Sequence, residues 1–264
     1  MGVPRKLSFT LSALMIIQAL TGLLAPQHYR DVEWIKTTWF GNDWLTLVVA
    51  VPLLMMSTVG AQRGSARAFL VWAGAVGYGV YNYAFYLLGA ALNVFFPLYV
   101  AALVLAAVIL IITLGRVDAS SVALKTPSVV MRLVGGSFVM IGVGLAAVWT
   151  AMWAAYVFAG RPTPVDPDAF RLVAALDLSL MVPSLVSGGA LLWQQRAWGV
   201  LVAAIAGVQG SLYLAVLSVN SWIAIDRGLA AWPGELVIWG PLAAVTGAVT
   251  ALLLGNVRSP NEAV

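Results

Sequence analysis

The chain has no cysteine, a single histidine, and charge on only 9% of its 264 residues. Each scarcity excludes a kind of chemistry. Without cysteine there is no disulfide framework, no thiolate metal site and no redox dithiol. The one histidine, His28, cannot supply paired haem ligands or an ordinary zinc site, even with Asp31 and Glu33 nearby in sequence. A Ser-His-Asp relay would have to use His28, and no nucleophile elbow accompanies it. No glycine-rich phosphate loop occurs, which excludes a nucleotide motor. The last apolar segments hold no lysine for a retinal Schiff base. The residues therefore predict neither a metal nor a cofactor.

Charge is missing most completely from Ala68 to Gly115, 48 residues without an acidic, basic or histidine side chain. About 20 apolar residues cross a bilayer, so this stretch is long enough for two spans. The chain as a whole is 62% hydrophobic. Its longest polar gap, Pro26 to Asp43, is too short to bury a core of its own. Eight apolar segments emerge: Leu7–Leu24, Trp44–Gly60, Ala68–Leu88, Phe95–Leu114, Leu133–Ala159, Phe170–Trp193, Trp198–Asn220 and Leu236–Leu254. Lipid cannot satisfy a bare backbone, so they must be helices or closed-barrel strands, and their unbroken apolarity selects helices. The predicted fold is an all-α polytopic bundle of eight transmembrane helices in a lipid bilayer. The Arg5-Lys6 start and the run to Leu24 resemble a secretion signal. Leu23-Leu24-Ala25-Pro26 offers no small-x-small cleavage site, so the run is expected to stay as the first span.

The pI near 9.6 does not point to nucleic acid, because the basic residues stand at span ends rather than in a patch. With the N-terminus inside, nine of the 14 basic residues fall on inner loops: Arg5, Lys6, Arg63, Arg67, Arg116, Lys125, Arg132, Arg196 and Arg258. Asp31, Glu33, Asp43, Asp166, Asp168, Asp226 and Glu235 fall on outer ones, and only Asp118 and Glu262 inside. The positive-inside rule then places both termini in the cytoplasm. Between spans one and two, Asp31, Val32, Ile35 and Trp39 read as a short interfacial helix ended by Gly41-Asn42. Asp168 reads as the cap of span six.

The two halves are weakly alike. Span two holds Pro52 and ends in Gln62-Arg63, followed by Arg67-Ala68-Phe69; span six holds Pro183 and ends in Gln194-Gln195, followed by Arg196-Ala197-Trp198. Residues 1–125 and 126–264 are thus read as two four-helix halves of one membrane domain. An even number of spans per half makes the repeat parallel, with its axis along the membrane normal.

Asp177 is the one acid this reading places inside a span, and no internal lysine or arginine accompanies it. Such a residue marks a solute or ion pathway by default. Lacking a countercharge, it is expected to be neutral and to donate a hydrogen bond to a partner such as Tyr78, Tyr81, Asn82 or Gln209. Met181, Ser184 and Gly188 share its helical face, and Pro183 frees the carbonyl of Ser179. Tyr78, Tyr81, Asn82 and Phe85 form a stripe on span three, either a pocket wall or a packing seam. Tyr83 and Tyr86 read as belt aromatics at the outer end. Gln18, Gln209 and Asn220 are further polar residues near spans. The pathway candidates are Asp177, Ser184, Tyr78, Tyr81, Asn82 and Gln209. Gly142/Ala146, Ser184/Gly188, Ala203/Gly207 and Ala243/Gly247/Ala251 have the spacing of close helix packing.

The runs Trp39-Phe-Gly-Asn-Asp-Trp-Leu-Thr-Leu-Val-Val-Ala-Val-Pro52 and Tyr81-Asn-Tyr-Ala-Phe-Tyr-Leu-Leu-Gly-Ala-Ala-Leu-Asn93 resemble a family of bacterial multi-pass membrane proteins. The resemblance implies a bacterial plasma (inner) membrane and eight spans, and no activity. Three function classes stay open. One is a passive or proton-coupled carrier of a small or apolar solute. The second is a non-catalytic subunit, sensor or assembly partner of other membrane proteins. The third is an intramembrane lipid-modifying enzyme. Reporter fusions after Gly64, Val117 and Val264 should read cytoplasmic, and fusions near Gly41 and Val165 should read periplasmic; two or more reversed sites would sink the orientation.

Overall fold

A computed structural model of the chain describes residues 2–121, 128–163, 165–229 and 234–257. Lys125, Arg258 and Glu262, which entered the charge count, lie outside them. The described residues form ten α-helices: α1 (Arg5–Leu24), α2 (Glu33–Leu45), α3 (Val51–Gln62), α4 (Ala66–Gly89), α5 (Phe96–Leu114), α6 (Ser128–Ala159), α7 (Pro167–Leu176), α8 (Val182–Trp193), α9 (Ala197–Asp226) and α10 (Gly234–Gly255). Two pairs are continuous. A wider π-helical turn, Thr46–Ala50, joins α2 to α3, and Asp177–Met181 joins α7 to α8. In each case proline follows at the second residue of the next segment, Pro52 or Pro183. Proline removes one backbone donor and crowds the carbonyl four residues back, and the wide turn makes room for it.

Seven helices are long and apolar enough to cross a membrane: α1, the continuous α2–α3, α5, α6, the continuous α7–α8, α9 and α10. The remaining long helix, α4, has 24 residues. Its tyrosines, glycines and tryptophan dilute its apolarity, and it is the helix most enclosed by its neighbours in the first half of the chain. The expected interfacial helix is corrected. Gly41 and Asn42 do not end it; they lie inside α2, which runs on into α3. Trp39 is buried and donates from Nε1 to Asp31 Oδ2 at 3.0 Å instead of facing headgroups. The physical reason is that no proline interrupts the run before Pro52, and packing on α9 holds Gly41 helical. The cap of α7 is Asp166, which accepts from the backbone N–H of Asp168 at 2.9 Å, and not Asp168 itself.

The helices pack in two rings. In the first, α1 and α4 each lie against both α3 and α5; in the second, α6 and α9 each lie against both α8 and α10. The rings meet where α4 packs along α9, with α2 also on α9 and α7 on α4. Small residues set this contact. A Cβ on Gly74 would come within 2.4 Å of Val208, and one on Gly77 within 3.3 Å of Ile205. Farther along, a Cβ on Gly41 would lie 1.7 Å from the Asn220 side-chain amide, and one on Gly89 would lie 2.3 Å from Leu172. Within the second ring, Gly135 of α6 and Gly189 of α8 approach each other backbone to backbone, and Gly188 sits on the backbone of Ala203. The small-residue spacings read from the sequence are therefore packing seams where Gly142, Gly188 and Gly207 are concerned.

Gly41→Ala should overpack α2 against α9 and cost about 1–3 kcal/mol. Gly144→Ala, whose Cβ would meet nothing within 4 Å, should be neutral or slightly stabilising. Thermal unfolding in detergent checks both, and adding Asn220→Ala to Gly41→Ala should recover most of the loss. Equal stability of the two alanine variants would show that the α2–α9 approach is not tight.

Candidate functional site

Among the described residues two carboxylates are fully enclosed, Asp43 and Asp177, each 0% exposed. Neither forms a salt bridge with a described residue. A buried acid without a cation must be surrounded by donors, and each of these is.

Asp177 opens the π-turn between α7 and α8. Its Oδ1 accepts from the Tyr81 hydroxyl at 2.6 Å, and its Oδ2 accepts from Trp149 Nε1 at 2.9 Å. Tyr81 belongs to α4 and Trp149 to α6, so this carboxyl ties the two rings together. The Tyr81 ring lies 4.7 Å from that of Tyr213 on α9. Of the expected partners only Tyr81 makes the bond. An indole N–H can only donate, so Asp177 accepts at Oδ2. Trp149 was not anticipated, because an apolar helix gives no sign of which neighbour its indole will meet.

The other sequence candidates scatter. Tyr78 pairs its hydroxyl with Thr46 at 3.1 Å. Asn82 is buried with its amide nitrogen unpartnered among the described residues. Gln209 packs over Gly77. The Ser184 hydroxyl donates to the backbone carbonyl of Leu180 at 2.6 Å, and so turns back onto its own helix. Phe85 lies against the Trp39 ring at 5.2 Å. The stripe on α4 is thus divided among several neighbours, and only Tyr81 reaches Asp177.

Asp43 is the larger omission. Read as an outer-loop residue, it sits inside α2 at the centre of a second cage. Its Oδ1 accepts from Gln18 Nε2 at 3.0 Å and from the Tyr86 hydroxyl at 2.7 Å. Its Oδ2 accepts from the Tyr29 hydroxyl at 2.7 Å. Gln18 also donates from Nε2 to Tyr29 at 3.0 Å, and its Oε1 accepts from Tyr83 at 3.2 Å. Tyr83 and Tyr86 are therefore not belt aromatics; both are fully enclosed and polar-bonded. Burial, and next the charge of Asp43, push the Tyr29 phenol up, which keeps it a donor. Tyr29 comes from the connector after α1, pinned by stacking near Trp39 and Phe95. The signal available in the sequence was Gln18, a polar residue in an otherwise apolar first span with nothing local to bond. His28 packs edge-on to Phe95 at 5.9 Å, and among the described residues no cluster could hold a metal.

The two cages are separate, with no residue bonded to both acids. Two surface clefts stand out, and neither acid lines them. Asp43→Leu strands three donors at about 1–3 kcal/mol each, so it should lower the unfolding temperature of the detergent-solubilised protein more than Asp177→Leu, which strands two. Asp43→Asn should fall between Asp43→Leu and the unmodified chain. A silent Asp43→Leu would contradict the cage. No protein-family profile, no curated protein and no solved structure matches this chain.

Proposed function

We propose that the chain is a proton-coupled carrier of a small or apolar solute, a multi-pass protein of a bacterial plasma membrane, with Asp177 as the coupling group. The carrying observation is the Asp177–Tyr81 bond. It is buried, lacks a cation, stands at a π-turn before a proline, and joins one ring of helices to the other. A carboxyl that gains or loses a proton there changes the number of bonds across that contact. A π-turn is a common place for helices to bend at functional sites. Asn82, next to Tyr81, adds an unpartnered buried donor that a solute can use.

The chain is further proposed to be a parallel four-plus-four repeat, residues 1–125 and 126–264, with α4 as an eighth span and both termini cytoplasmic. The connectors Arg63–Ser65 and Ala90–Phe95 are short, which suits an α4 antiparallel to both α3 and α5. The boundaries support the repeat. Leu45 and Leu176, Thr46 and Asp177, Pro52 and Pro183, Gln62 and Trp193, and Ala66 and Ala197 all keep one offset of 131 residues. The ring contacts correspond pair by pair, as do the cross-ring contacts of α2 on α9 and α7 on α4. At the same offset, Gly74 on Val208 answers Ile205 on Gly77, and Gly41 on Asn220 answers Leu172 on Gly89. The acids break the symmetry: Thr46 stands where Asp177 does, and Ala174 where Asp43 does. Parallel halves hinged at a shared contact suit alternating access.

A second reading, a subunit or assembly partner, is supported by the full enclosure of Asp177, which lines neither of the two clefts described. The lipid-modifying reading has less support, since Asp43 and Asp177 do not converge. The deciding experiment reconstitutes the protein into vesicles loaded with a pH dye. Amino acids, sugars, short organic acids and aromatic amines are then offered in turn. At least one class should drive internal acidification, and Asp177→Asn should abolish it with insertion unchanged. No solute-dependent proton movement, together with an Asp177 carboxyl band that infrared spectra show to be insensitive to pH, would overturn the carrier reading.

A further inference from the structure

A cleft of about 280 Å³ opens between the end of α1, the middle of α2 and the end of α9. Its walls combine Leu23, Phe40, Trp44 and Trp222 with one acid and one base, Asp226 and Arg227. Neither Asp43 nor Asp177 lines it. We propose that this cleft binds the headgroup of a zwitterionic phospholipid carrying a primary ammonium, with its phosphate on Arg227 and its ammonium on Asp226.

The geometry favours this occupant in three ways. First, Arg227 is already placed. Its guanidinium lies over the Phe40 ring at 4.4 Å from the centroid, and that face-on seat leaves its N–H edges free to donate to a phosphate. Among the described residues no carboxylate lies at salt-bridge distance from it. Second, the charges are balanced. An anionic headgroup would gain Arg227 and be opposed by Asp226, whereas an ammonium phosphodiester satisfies both. A quaternary ammonium offers Asp226 no N–H to accept, so the primary ammonium fits best. Third, the surface leading away from the cleft suits acyl chains. Leu24, Leu20 and Ile17 recur along the exposed side of α1, and Trp44 and Val48 along that of α2 and its π-turn. Trp44 and Trp222 are each about half exposed, as indoles at headgroup depth are. The cleft also borders α2, where Asp43 lies between the wall residues Phe40 and Trp44, so a bound headgroup would brace the helix that holds one cage.

The experiment measures thermal unfolding of the full chain in detergent, with bound lipid counted by native mass spectrometry. Phosphatidylethanolamine, phosphatidylcholine and phosphatidylglycerol are added separately, and glycerophosphoethanolamine serves as the chain-free headgroup. Phosphatidylethanolamine should raise the unfolding temperature by several degrees, more than the other two, and one copy should persist in the spectrum. Arg227→Gln should remove that gain, the lipid-free unfolding temperature falling only by what the lost seat on Phe40 contributes. Asp226→Asn should erase the preference over phosphatidylglycerol without abolishing binding. Equal stabilisation by all three lipids, or a preference untouched in both variants, would overturn the site. Equally tight binding of glycerophosphoethanolamine would overturn the lipid and assign the cleft to a soluble phosphodiester. Because the cleft contacts neither acid, these outcomes stand whether or not Asp177 couples proton movement.

Discussion

An apolar interior gives a polar group no solvent to fall back on, so each one must find its partner within the protein. In this chain that constraint organises the space between helices as much as the helices themselves. Asp43 collects Gln18, Tyr29 and Tyr86 from α1, its connector and α4. Asp177 collects Tyr81 and Trp149 from α4 and α6. The helix common to both cages is α4. It faces α3 and α5 on one side and α9 on the other, which is why it can carry Asn82 and four tyrosines and still be well buried. Its tyrosines replace the countercharges the sequence does not have.

Glycine sets how close those partners come. Gly74 and Gly77 let α9 close on α4, and Gly41 lets α2 close on α9. At these contacts, and at Gly89, the first ring contributes the glycine and the second the larger side chain, Val208, Ile205, Asn220 or Leu172. Such a contact resists sliding, because a one-turn shift would set Val208 or Ile205 against a side chain instead of a glycine. The two π-turns reach the same helix, Thr46 bonding Tyr78 and Asp177 bonding Tyr81.

The two acids sit in different mechanical settings. Asp43 draws its partners from within one ring, so its cage holds that ring together and pins the Tyr29 connector over it. Asp177 draws one partner from each ring, so its bonds depend on how the rings are disposed. This difference, more than burial, is why the proposed coupling role is given to Asp177 and not to Asp43.

Much of this was legible in the sequence. Membrane-spanning helices followed from 48 uncharged residues, because lipid leaves the backbone few options. Asp177 stood out because no charge lay near it in the chain, and Pro183 marked the irregular turn it opens. Close packing at Gly188 and Gly207 was visible in their spacing. The cages were not legible. Whether Tyr86 faces headgroups or a carboxyl, whether Gly41-Asn42 ends a helix or lies within one, and which indole meets Asp177 are all settled by neighbours distant in sequence. Gly41 stays helical because α9 packs on it, and once it does, Asp43 is carried from a supposed loop into the interior, where only tyrosines and Gln18 can meet it. Local pattern determined which segments enter the bilayer; tertiary packing decided which polar groups meet there, because a hydrogen bond depends on distances that periodicity along one helix does not contain.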